Sequence, residues 1–285
     1  MYKVQYIIFK AFRSILLSIS EKKRFKLAEI LGVLGYKLIK KRRIIALANL
    51  KLAFPEKTEK EREKIALDSY KIMSKAFLST LWFEDYLKNS VTLEGFEKVD
   101  KIKKRGNGLA VALIHMGNME ASLKAAEKYK VVTVAKKQRN PYIDDFITEA
   151  RNRLNVVLLK KSKQTSRELQ EHIEAKDVIA LFSDHRDKGT TVEFFGEDTV
   201  SPTGIVNIAL KNNMPLVIAY NVMNRDNTCT TYFTDEIELV RTGSFKEDVR
   251  VNTQNMITKM EKIISNYPSQ WMWFHDRWKL YKKVK

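Results

Sequence analysis

A histidine and a glutamate stand where an apolar run meets a helical pattern. His115 ends the run GLAVALIH, Gly117 permits a tight turn after it, and Glu120 opens the following segment. A carboxylate that accepts the imidazole Nδ1–H fixes the tautomer and leaves Nε2 free to take a proton from an alcohol. Residues five positions apart can converge across a strand–turn–helix junction, although a lone histidine there is often only structural. We therefore predict that His115 is a general base and that Glu120 orients it.

The elements that must position this pair follow from the spacing of apolar residues. Residues 1–90 show the three- and four-residue spacing of helices, and Thr58 with Glu61 predicts a capping box. From residue 91 onward, short β-rich runs alternate with helical patterns. The predicted strands are VTLEG, GLAVALIH, VVTVA, NVVLL, VIALFS, PLVIAYNVM and TYFTDEIELV. The predicted helices of this part are EASLKAAEKY, PYIDDFITEARNRL, TSRELQEHIEA, TGIVNIALKNN and VNTQNMITKMEKIISNY.

This alternation predicts an α/β fold with a central, mostly parallel mixed sheet flanked by helices. The simplest organisation is one domain over residues 1–285, with an N-terminal helical layer at 1–90 and an α/β core at 91–285. In open α/β sheets, ligands bind at the carboxyl ends of the strands. His115, at the end of its strand, therefore lies where a site is expected.

The charge of the chain is strongly positive. Its 285 residues include 52 Lys and Arg against 34 Asp and Glu, which gives a net charge of +18. Such a surplus attracts nucleic acid, anionic lipid head groups or an acidic protein, and charge alone does not choose among them. The single Cys229 excludes an internal disulfide framework and a multi-cysteine metal site, and it fits a reducing compartment.

The N-terminal segment is apolar but interrupted by cations. Residues 6–19, YIIFKAFRSILLSI, contain Lys10 and Arg13. A spanning helix needs about 20 mostly apolar residues, and no small-residue cleavage signature follows this segment, so neither a spanning helix nor a cleaved signal peptide is predicted. The pattern favours an amphipathic helix lying in a membrane interface. An ordinary core helix with two surface cations is the alternative.

The sequence offers no pattern for a metal or a nucleotide. The four histidines show no metal-ligand spacing, and no C-x-x-C, Walker A or G-x-G-x-x-G pattern occurs. We therefore predict no metal and no cofactor.

The surroundings of His115 resemble a known family. HMGNME after an apolar strand resembles the H-x-x-x-x-E motif of the lysophospholipid acyltransferase superfamily. More narrowly, it resembles the late lipid A biosynthesis acyltransferases (lauroyl and myristoyl transferases), whose motif commonly reads H-x-G-N-W-E. Three further stretches resemble that family in order and spacing, so that the resemblance spans roughly residues 1–280: NPYIDDFITEAR at 140–151, FSDHRDKGTTVEFFGEDTVSPTG at 182–204 and YPSQWMWFHDRWK at 267–279.

Three positions depart from the family pattern. Met119 replaces the usual aromatic residue, His185 stands where the family usually has Gln, and Lys136 stands where an arginine is common. These departures leave open the identity of the acceptor and the preferred length of the acyl chain. They affect the expected type of reaction less.

The resemblance implies roles for two further polar residues. Arg151 is expected near the acceptor phosphate or the thioester oxygen, and its planar guanidinium suits either. Asp184, which follows the strand VIALFS, is expected to position Arg151 or a substrate hydroxyl. A surface ion pair and a turn cap are the alternatives for these two residues. The predicted catalytic residues are thus His115, Glu120, Arg151 and Asp184.

A second set of residues is predicted to bind substrate. Asn118 is expected to position His115 or to donate to negative charge on the carbonyl oxygen, with a helix cap as the alternative. The two phenylalanines of FFGEDTVSPTG suit the lining of an acyl channel, whereas Trp271 and Trp273 are expected to pack in the core. The predicted substrate-binding residues are Asn118, Lys136, Asn140, Phe194, Phe195 and Gly196.

The resemblance implies direct acyl transfer at the cytoplasmic face of the bacterial inner membrane. The expected donor is an acyl–acyl carrier protein, and the expected acceptor is a hydroxyl of an anionic, acylated glycolipid, a lipid A precursor. No G-x-S-x-G occurs and Cys229 has no histidine neighbour, so a covalent acyl-enzyme is not expected. Another acceptor, such as a phosphatidylinositol mannoside or a lysolipid, stays open. A basic nucleic-acid-binding protein is the rival of a different class, and nucleic acid is not an expected partner.

Overall fold

The computed structural model describes residues 1–282. The N-terminal part is helical, as predicted, and contains α1 (Tyr2–Leu17), α2 (Glu21–Leu38), α3 (Lys40–Ala53), α4 (Glu59–Ser79) and α5 (Phe83–Ser90), with a 3₁₀ turn at Thr80–Trp82. The helical run predicted before Pro55 is divided at Ile39, whose backbone angles of −90° and 68° are not helical. The predicted capping box is confirmed, because the Thr58 hydroxyl accepts from the Glu61 amide and the Glu61 carboxylate accepts from the Thr58 amide.

The remaining chain is a sheet with helices between its strands. The strands are β1 (Val91–Glu94), β2 (Leu109–Leu113), β3 (Val131–Ala135), β4 (Val156–Lys160), β5 (Val178–Phe182), β6 (Gly189–Phe194), β7 (Glu197–Pro202), β8 (Leu216–Met223) and β9 (Cys229–Phe233). The helices are α6 (Phe96–Lys104), α7 (Pro141–Asn152), α8 (Thr165–Glu174), α9 (Gly204–Lys211) and α10 (Phe245–Asn266). Seven strands form one sheet in the order β1-β9-β8-β2-β5-β3-β4, in which only β8 and β9 pair antiparallel. The predicted α/β fold with a mostly parallel mixed sheet is confirmed.

Two predicted elements differ from the structure. Residues Met119–Glu127 form a 3₁₀ helix where an α-helix is predicted. The last predicted strand, TYFTDEIELV, ends early at Phe233. There the Thr234 hydroxyl accepts from the Ile218 amide, in the place of a backbone carbonyl, and so ends the ladder.

Two further elements lie where the sequence predicts none, α6 and the antiparallel hairpin β6–β7. The hairpin turn places Phe195 and Gly196 at φ of 54° and 73°. Two-residue hairpin turns with positive φ at both positions usually carry Asn-Gly or Asp-Gly. An aromatic residue at the first position therefore hides the turn from a reading of the sequence.

Strand β2 lies in the middle of the sheet and is buried on both faces. Ala110 and Ala112 pack into the core cluster on one face, while Val111 and Leu113 pack into the cluster on the other. A strand covered on both sides is typical of parallel sheets. This burial holds the carboxyl end of β2, and thus His115, rigidly at the edge of the sheet.

Helix α1 packs on α7 and leaves apolar side chains exposed. The rings of Tyr6 and Tyr142 stack at 5.7 Å, and Phe9 meets Phe146 edge to face at 5.4 Å. Along the same helix, the apolar side chains of Val4, Ile7, Ile8, Phe12 and Ile15 are exposed. Within residues 1–282, no helix combines the length and the apolar character needed to cross a membrane.

Candidate active site

The carboxylate that holds His115 is Asp184. Strands β2 and β5 are neighbours in parallel register, with Leu113 opposite Phe182. Two residues beyond each of these positions, His115 Nδ1 lies 2.7 Å from Asp184 Oδ1. The prediction that Glu120 accepts from this nitrogen is therefore wrong, because the neighbouring strand delivers a carboxylate to the same edge. With Nδ1 occupied, Nε2 is the nitrogen left for a substrate.

Asp184 is completely buried and fully hydrogen-bonded. Its Oδ2 accepts from the His115 amide at 2.9 Å and from the Trp271 indole at 2.8 Å. Burial alone favours the neutral acid, but the imidazoles of His115 and His185 and the donated hydrogen bonds outweigh it and hold the pKa of Asp184 well below its usual range. The group is thus an ionised carboxylate that fixes the imidazole by both its ring and its backbone.

Glu120 pairs with Arg151 instead. The Glu120 carboxylate lies 2.6 Å from Arg151 Nη2, and the guanidinium carbon lies 4.7 Å from the centroid of the Phe83 ring. Of the two roles expected for Asp184, the positioning of Arg151 is therefore wrong, since Glu120 has that contact, and the positioning of a substrate hydroxyl stays a prediction. The two carboxylates have exchanged the partners that the sequence predicts for them.

Asn118 determines where Glu120 points. Its carbonyl oxygen accepts from the Glu120 amide at 3.2 Å and caps the 3₁₀ helix, while its amide nitrogen donates to Ser79 Oγ at 2.9 Å. The helix cap that the sequence offers as the alternative role of Asn118 is thus confirmed. Gly117 has φ of 58°, and a Cβ there would lie 2.2 Å from the Asn221 carbonyl oxygen, so only glycine fits this turn.

A cavity of about 520 Å³ lies against these side chains and contains His115, Glu120 and Arg151 in its wall. Most of its lining is apolar and comes from the sheet and from α7. The lining includes Val111, Leu113, Val131, Val178, Ala180, Ile143, Phe146, Ile147 and Ala150. A largely apolar cavity with a few polar groups is the common form of a small-molecule site, and this one suits a hydrocarbon chain.

Two of the predicted substrate-binding residues lie near this cavity. Lys136 lines it, as does the ion pair of Lys160 with Asp144 at 2.9 Å, which the sequence analysis missed. Asn140 caps α7 by accepting from the Tyr142 amide, and its amide nitrogen donates to the Tyr2 carbonyl oxygen at 2.9 Å. Asn140 therefore ties α1 to α7, and its role towards substrate stays a prediction.

The expectation that Phe194, Phe195 and Gly196 line an acyl channel is wrong. Phe194 is fully buried and stacks on Trp278 at 5.4 Å, while Phe195 meets Phe54 edge to face at 5.6 Å. Gly196 forms the hairpin turn with no atom within 4 Å of where its Cβ would be. The hairpin folds these rings into the aromatic core that also contains Trp271 and Trp273, whose predicted packing is confirmed.

A stack of aromatic rings supports His115, and the sequence analysis missed it. The His115 ring lies 4.0 Å from the Phe182 ring on one side and 3.6 Å from the nearly parallel His185 ring on the other. His185 in turn stacks on His275 at 4.0 Å. Burial lowers the pKa of His185 to about 3, so its ring is neutral beside the His115 imidazole. The sequence shows only that His185 lies in the stretch 182–204 and His275 in the stretch 267–279, and it does not indicate that their rings meet.

One group of side chains within residues 1–282 places three metal-ligating atoms within 4.8 Å of one another, from His115, Asp184 and His185. Imidazole nitrogen lone pairs lie in the ring plane, and zinc sits about 2.0–2.1 Å from such a nitrogen. The His115 and His185 planes differ by only 5° and are stacked. An ion bound between the two stacked rings would lie far out of both ring planes. The arrangement therefore fits a hydrogen-bonded pair of His115 and Asp184 better than a metal centre.

Comparisons with known proteins identify the family. The chain matches the family described as bacterial lipid A biosynthesis acyltransferase over residues 2–280. It is 21% identical over 259 residues to the lipid A biosynthesis palmitoleoyltransferase of Escherichia coli strain K12, covering 87% of this chain and 82% of the relative. It is 23% identical over 271 residues to the lipid A biosynthesis lauroyltransferase of the same strain, covering 87% and 83%.

A solved structure is also similar. The 1-acyl-sn-glycerophosphate (LPA) acyltransferase of Thermotoga maritima aligns with a TM-score of 0.41 and 14% identity, over 84% of this chain and 98% of that chain. The match to the family covers almost the whole sequence, from residue 2 to residue 280. The chain therefore belongs to the bacterial lipid A biosynthesis acyltransferases.

Proposed function

We propose that this acyltransferase moves a fatty acyl group from an acyl–acyl carrier protein to a hydroxyl of an anionic, already acylated glycolipid, a lipid A precursor. The observation that carries the proposal is the contact of His115 with Asp184 in the wall of an apolar cavity of about 520 Å³. Family membership supports the glycolipid acceptor. The positive charge supports an acidic carrier protein and an anionic lipid as partners.

In the proposed reaction, His115 Nε2 takes the proton of the acceptor hydroxyl. The oxygen attacks the thioester carbonyl carbon, an ester C–O bond forms, and the C–S bond breaks. The imidazolium then returns the proton to the departing thiolate, so that a free thiol and an ester are the products. Asp184 stays ionised throughout and stabilises the imidazolium while it exists.

Arg151 is the cation of the proposed site. Because Glu120 takes up one end of the guanidinium, the remaining N–H groups are held in a fixed direction along the cavity wall. They would donate either to the carbonyl oxygen as negative charge develops on it or to an acceptor phosphate. In this proposal Glu120 is a positioning residue, since it acts through Arg151.

We propose that the protein acts at the cytoplasmic face of the inner membrane, and the exposed apolar side chains of α1 support its contact with a membrane surface. Phe9 of α1 lines the cavity, while Ile8 and Ile15 on the same helix are exposed. A helix lying in the interface would therefore bring the cavity close to lipid acceptors.

The test is transfer of a labelled acyl group from acyl carrier protein to a tetra-acylated lipid A precursor. His115→Ala should lower the transfer rate by about 10²–10⁴-fold, the usual range for loss of a general base. The matched control is His172→Ala, because His172 also lies 2.8 Å from an aspartate, Asp177, but is not in the cavity wall.

The possible results separate the parts of the proposal. Transfer that persists in His115→Ala contradicts the mechanism. A folded wild-type protein that is inactive with several chain lengths contradicts the lipid A assignment, and lysolipid acceptors are then the next substrates to test.

A further inference from the structure

A second groove lies on the other side of two residues that line the catalytic cavity. It has a volume of about 420 Å³ and runs between α2, α4 and the segment after α10. Phe77 and Met272 line both the groove and the catalytic cavity, so these two side chains form a partition between them. The groove therefore adjoins the site already described but is separated from it by these two side chains.

Two glycines on one face of α2 shape the groove. A Cβ at Gly32 would lie 2.7 Å from the Tyr70 carbonyl oxygen, so Gly32 allows α2 and α4 to approach closely. A Cβ at Gly35 would lie 3.7 Å from the Tyr70 ring, which is an ordinary contact distance. Gly35 thus leaves space that a side chain could fill without moving the backbone.

Two polar groups of the groove have hydrogen-bonding capacity to spare. The Tyr70 hydroxyl is buried and, within the described residues, has no hydrogen-bond partner. A buried hydroxyl without a partner is costly, which indicates that a ligand or water satisfies it. Arg42 lines the same groove, and one N–H of its guanidinium donates to the Phe274 carbonyl oxygen. No acidic side chain within residues 1–282 lines this groove, so the field there favours an anion.

The inner wall of the groove leads to the catalytic histidine. His275 lines the groove and stacks on His185 at 4.0 Å, and His185 stacks on His115 at 3.6 Å. A ligand that contacts His275 in the groove would therefore be separated from His115 by the stacked rings of His275 and His185. The rim is apolar and open, because Leu31 and Ile39 line the groove and are exposed.

We propose that this groove holds one of the acyl chains that the glycolipid acceptor already carries, with Arg42 and the Tyr70 hydroxyl binding an ester or phosphate oxygen near the head of that chain. The proposal rests on the proposed function. The donor chain would occupy the larger apolar cavity, and the acceptor chain would lie across Phe77 and Met272 from it. An apolar groove with one guanidinium and one unpaired hydroxyl matches an anionic acylated lipid in both shape and charge.

The test fills the groove by Gly35→Leu. Leucine propensity favours the helix over glycine, and the Cβ at 3.7 Å requires no backbone shift, so the variant should fold. The matched control is Lys37→Leu, which places the same side chain on an exposed position of α2 outside the groove. Binding of a tetra-acylated lipid A precursor is measured directly on both variants, and steady-state transfer is measured with acceptor and donor varied separately.

We expect Gly35→Leu to weaken acceptor binding and raise the KM for the acceptor at least about tenfold, which corresponds to 1.4 kcal/mol, relative to Lys37→Leu. The effect on the KM for the donor should be smaller, since the donor cavity is separate. Arg42→Gln, compared with Lys40→Gln, should weaken binding of the phosphorylated precursor more than that of a dephosphorylated one.

Two results would overturn this proposal, and a third would support it while contradicting the proposed function. Equal acceptor binding by Gly35→Leu and Lys37→Leu overturns it. A loss of binding to anionic vesicles without acceptor, equal to the loss of acceptor binding, also overturns it and makes the groove a membrane contact. Acceptor binding that depends on Gly35, in a wild-type protein without transferase activity, supports the groove and contradicts the proposed function.

Discussion

At the scale of single residues, the site consists of two separate acid–base pairs. His115 is held by Asp184 from the neighbouring strand, and Glu120 holds Arg151 from α7. Asp184 is inaccessible to solvent, whereas the Glu120–Arg151 pair lies in the cavity wall. In the proposed mechanism the first pair handles the proton and the second pair handles negative charge on the substrate.

This division predicts the pattern of energetic coupling. Asp184→Asn should lower kcat about 10³–10⁴-fold by loss of the correct tautomer. Glu120→Gln and Arg151→Gln should be strongly non-additive in kcat/KM, because removal of either partner already breaks the pair. Glu120→Gln and Asp184→Asn should combine nearly additively. The measurement is a double-mutant cycle on Glu120 with Arg151 and on Glu120 with Asp184, and strong coupling of Glu120 with Asp184 would contradict the division into two separate pairs.

At the scale of elements, helix α1 links the cavity beside His115 to the surface of the protein. It packs on α7 through aromatic rings and contributes Phe9 to the cavity lining. Asn140, the cap of α7, also donates to the α1 backbone. The position of α1 therefore depends on the same helix that carries Arg151.

The exposed apolar side chains of α1 predict membrane binding. Ile8→Glu combined with Ile15→Glu should reduce cosedimentation with anionic vesicles at least about tenfold, because both side chains are exposed and apolar. The matched control is Val240→Glu, an exposed apolar position far along the chain. Neither isoleucine lines the cavity, so acyl transfer to an acceptor dispersed in detergent should persist. Unchanged vesicle binding would remove α1 as the membrane contact.

At the scale of the whole molecule, a buried stack of histidines connects the site to the stability of the fold. His185 is held between His115 and His275, and burial lowers its pKa to about 3. Burial also lowers the pKa of His275. The folded protein thus binds a proton at these two imidazoles less readily than the unfolded chain, whose histidines titrate near pH 6.5.

The consequence is acid sensitivity of the fold. Below about pH 6.5 the unfolded chain binds a proton at His185 that the folded chain does not, so stability falls as the pH falls towards 3. His185→Phe keeps a ring in the stack and removes this titration. Its unfolding free energy should therefore depend less on pH than that of the wild type, by up to about 1.4 kcal/mol per pH unit.

Denaturant unfolding at several pH values between about 6 and 4 measures this difference. His172→Gln is the control for loss of a histidine outside the stack. Parallel pH dependences of wild type and His185→Phe would mean that His185 is protonated in the folded state.

The sequence by itself determined the class of the fold and the place of the candidate site. Helical periodicity before residue 91, alternating strands and helices after it, and a histidine at the end of a buried strand are local properties, and the structure confirms the first two and places His115 at the sheet edge. Motif resemblance likewise depends on residue order, and the family match agrees with it.

Only the tertiary structure decided which residues meet. Asp184 reaches His115 because β2 and β5 are neighbours, and strand order is not encoded in local periodicity. Phe194 is buried and Phe195 is partly buried in the aromatic core because the unusual turn between β6 and β7 brings both rings inward. The histidine stack joins segments about ninety residues apart in sequence, as with His185 and His275. Contacts of this kind depend on how packed elements are arranged in space, and spacing along the chain carries no record of that arrangement.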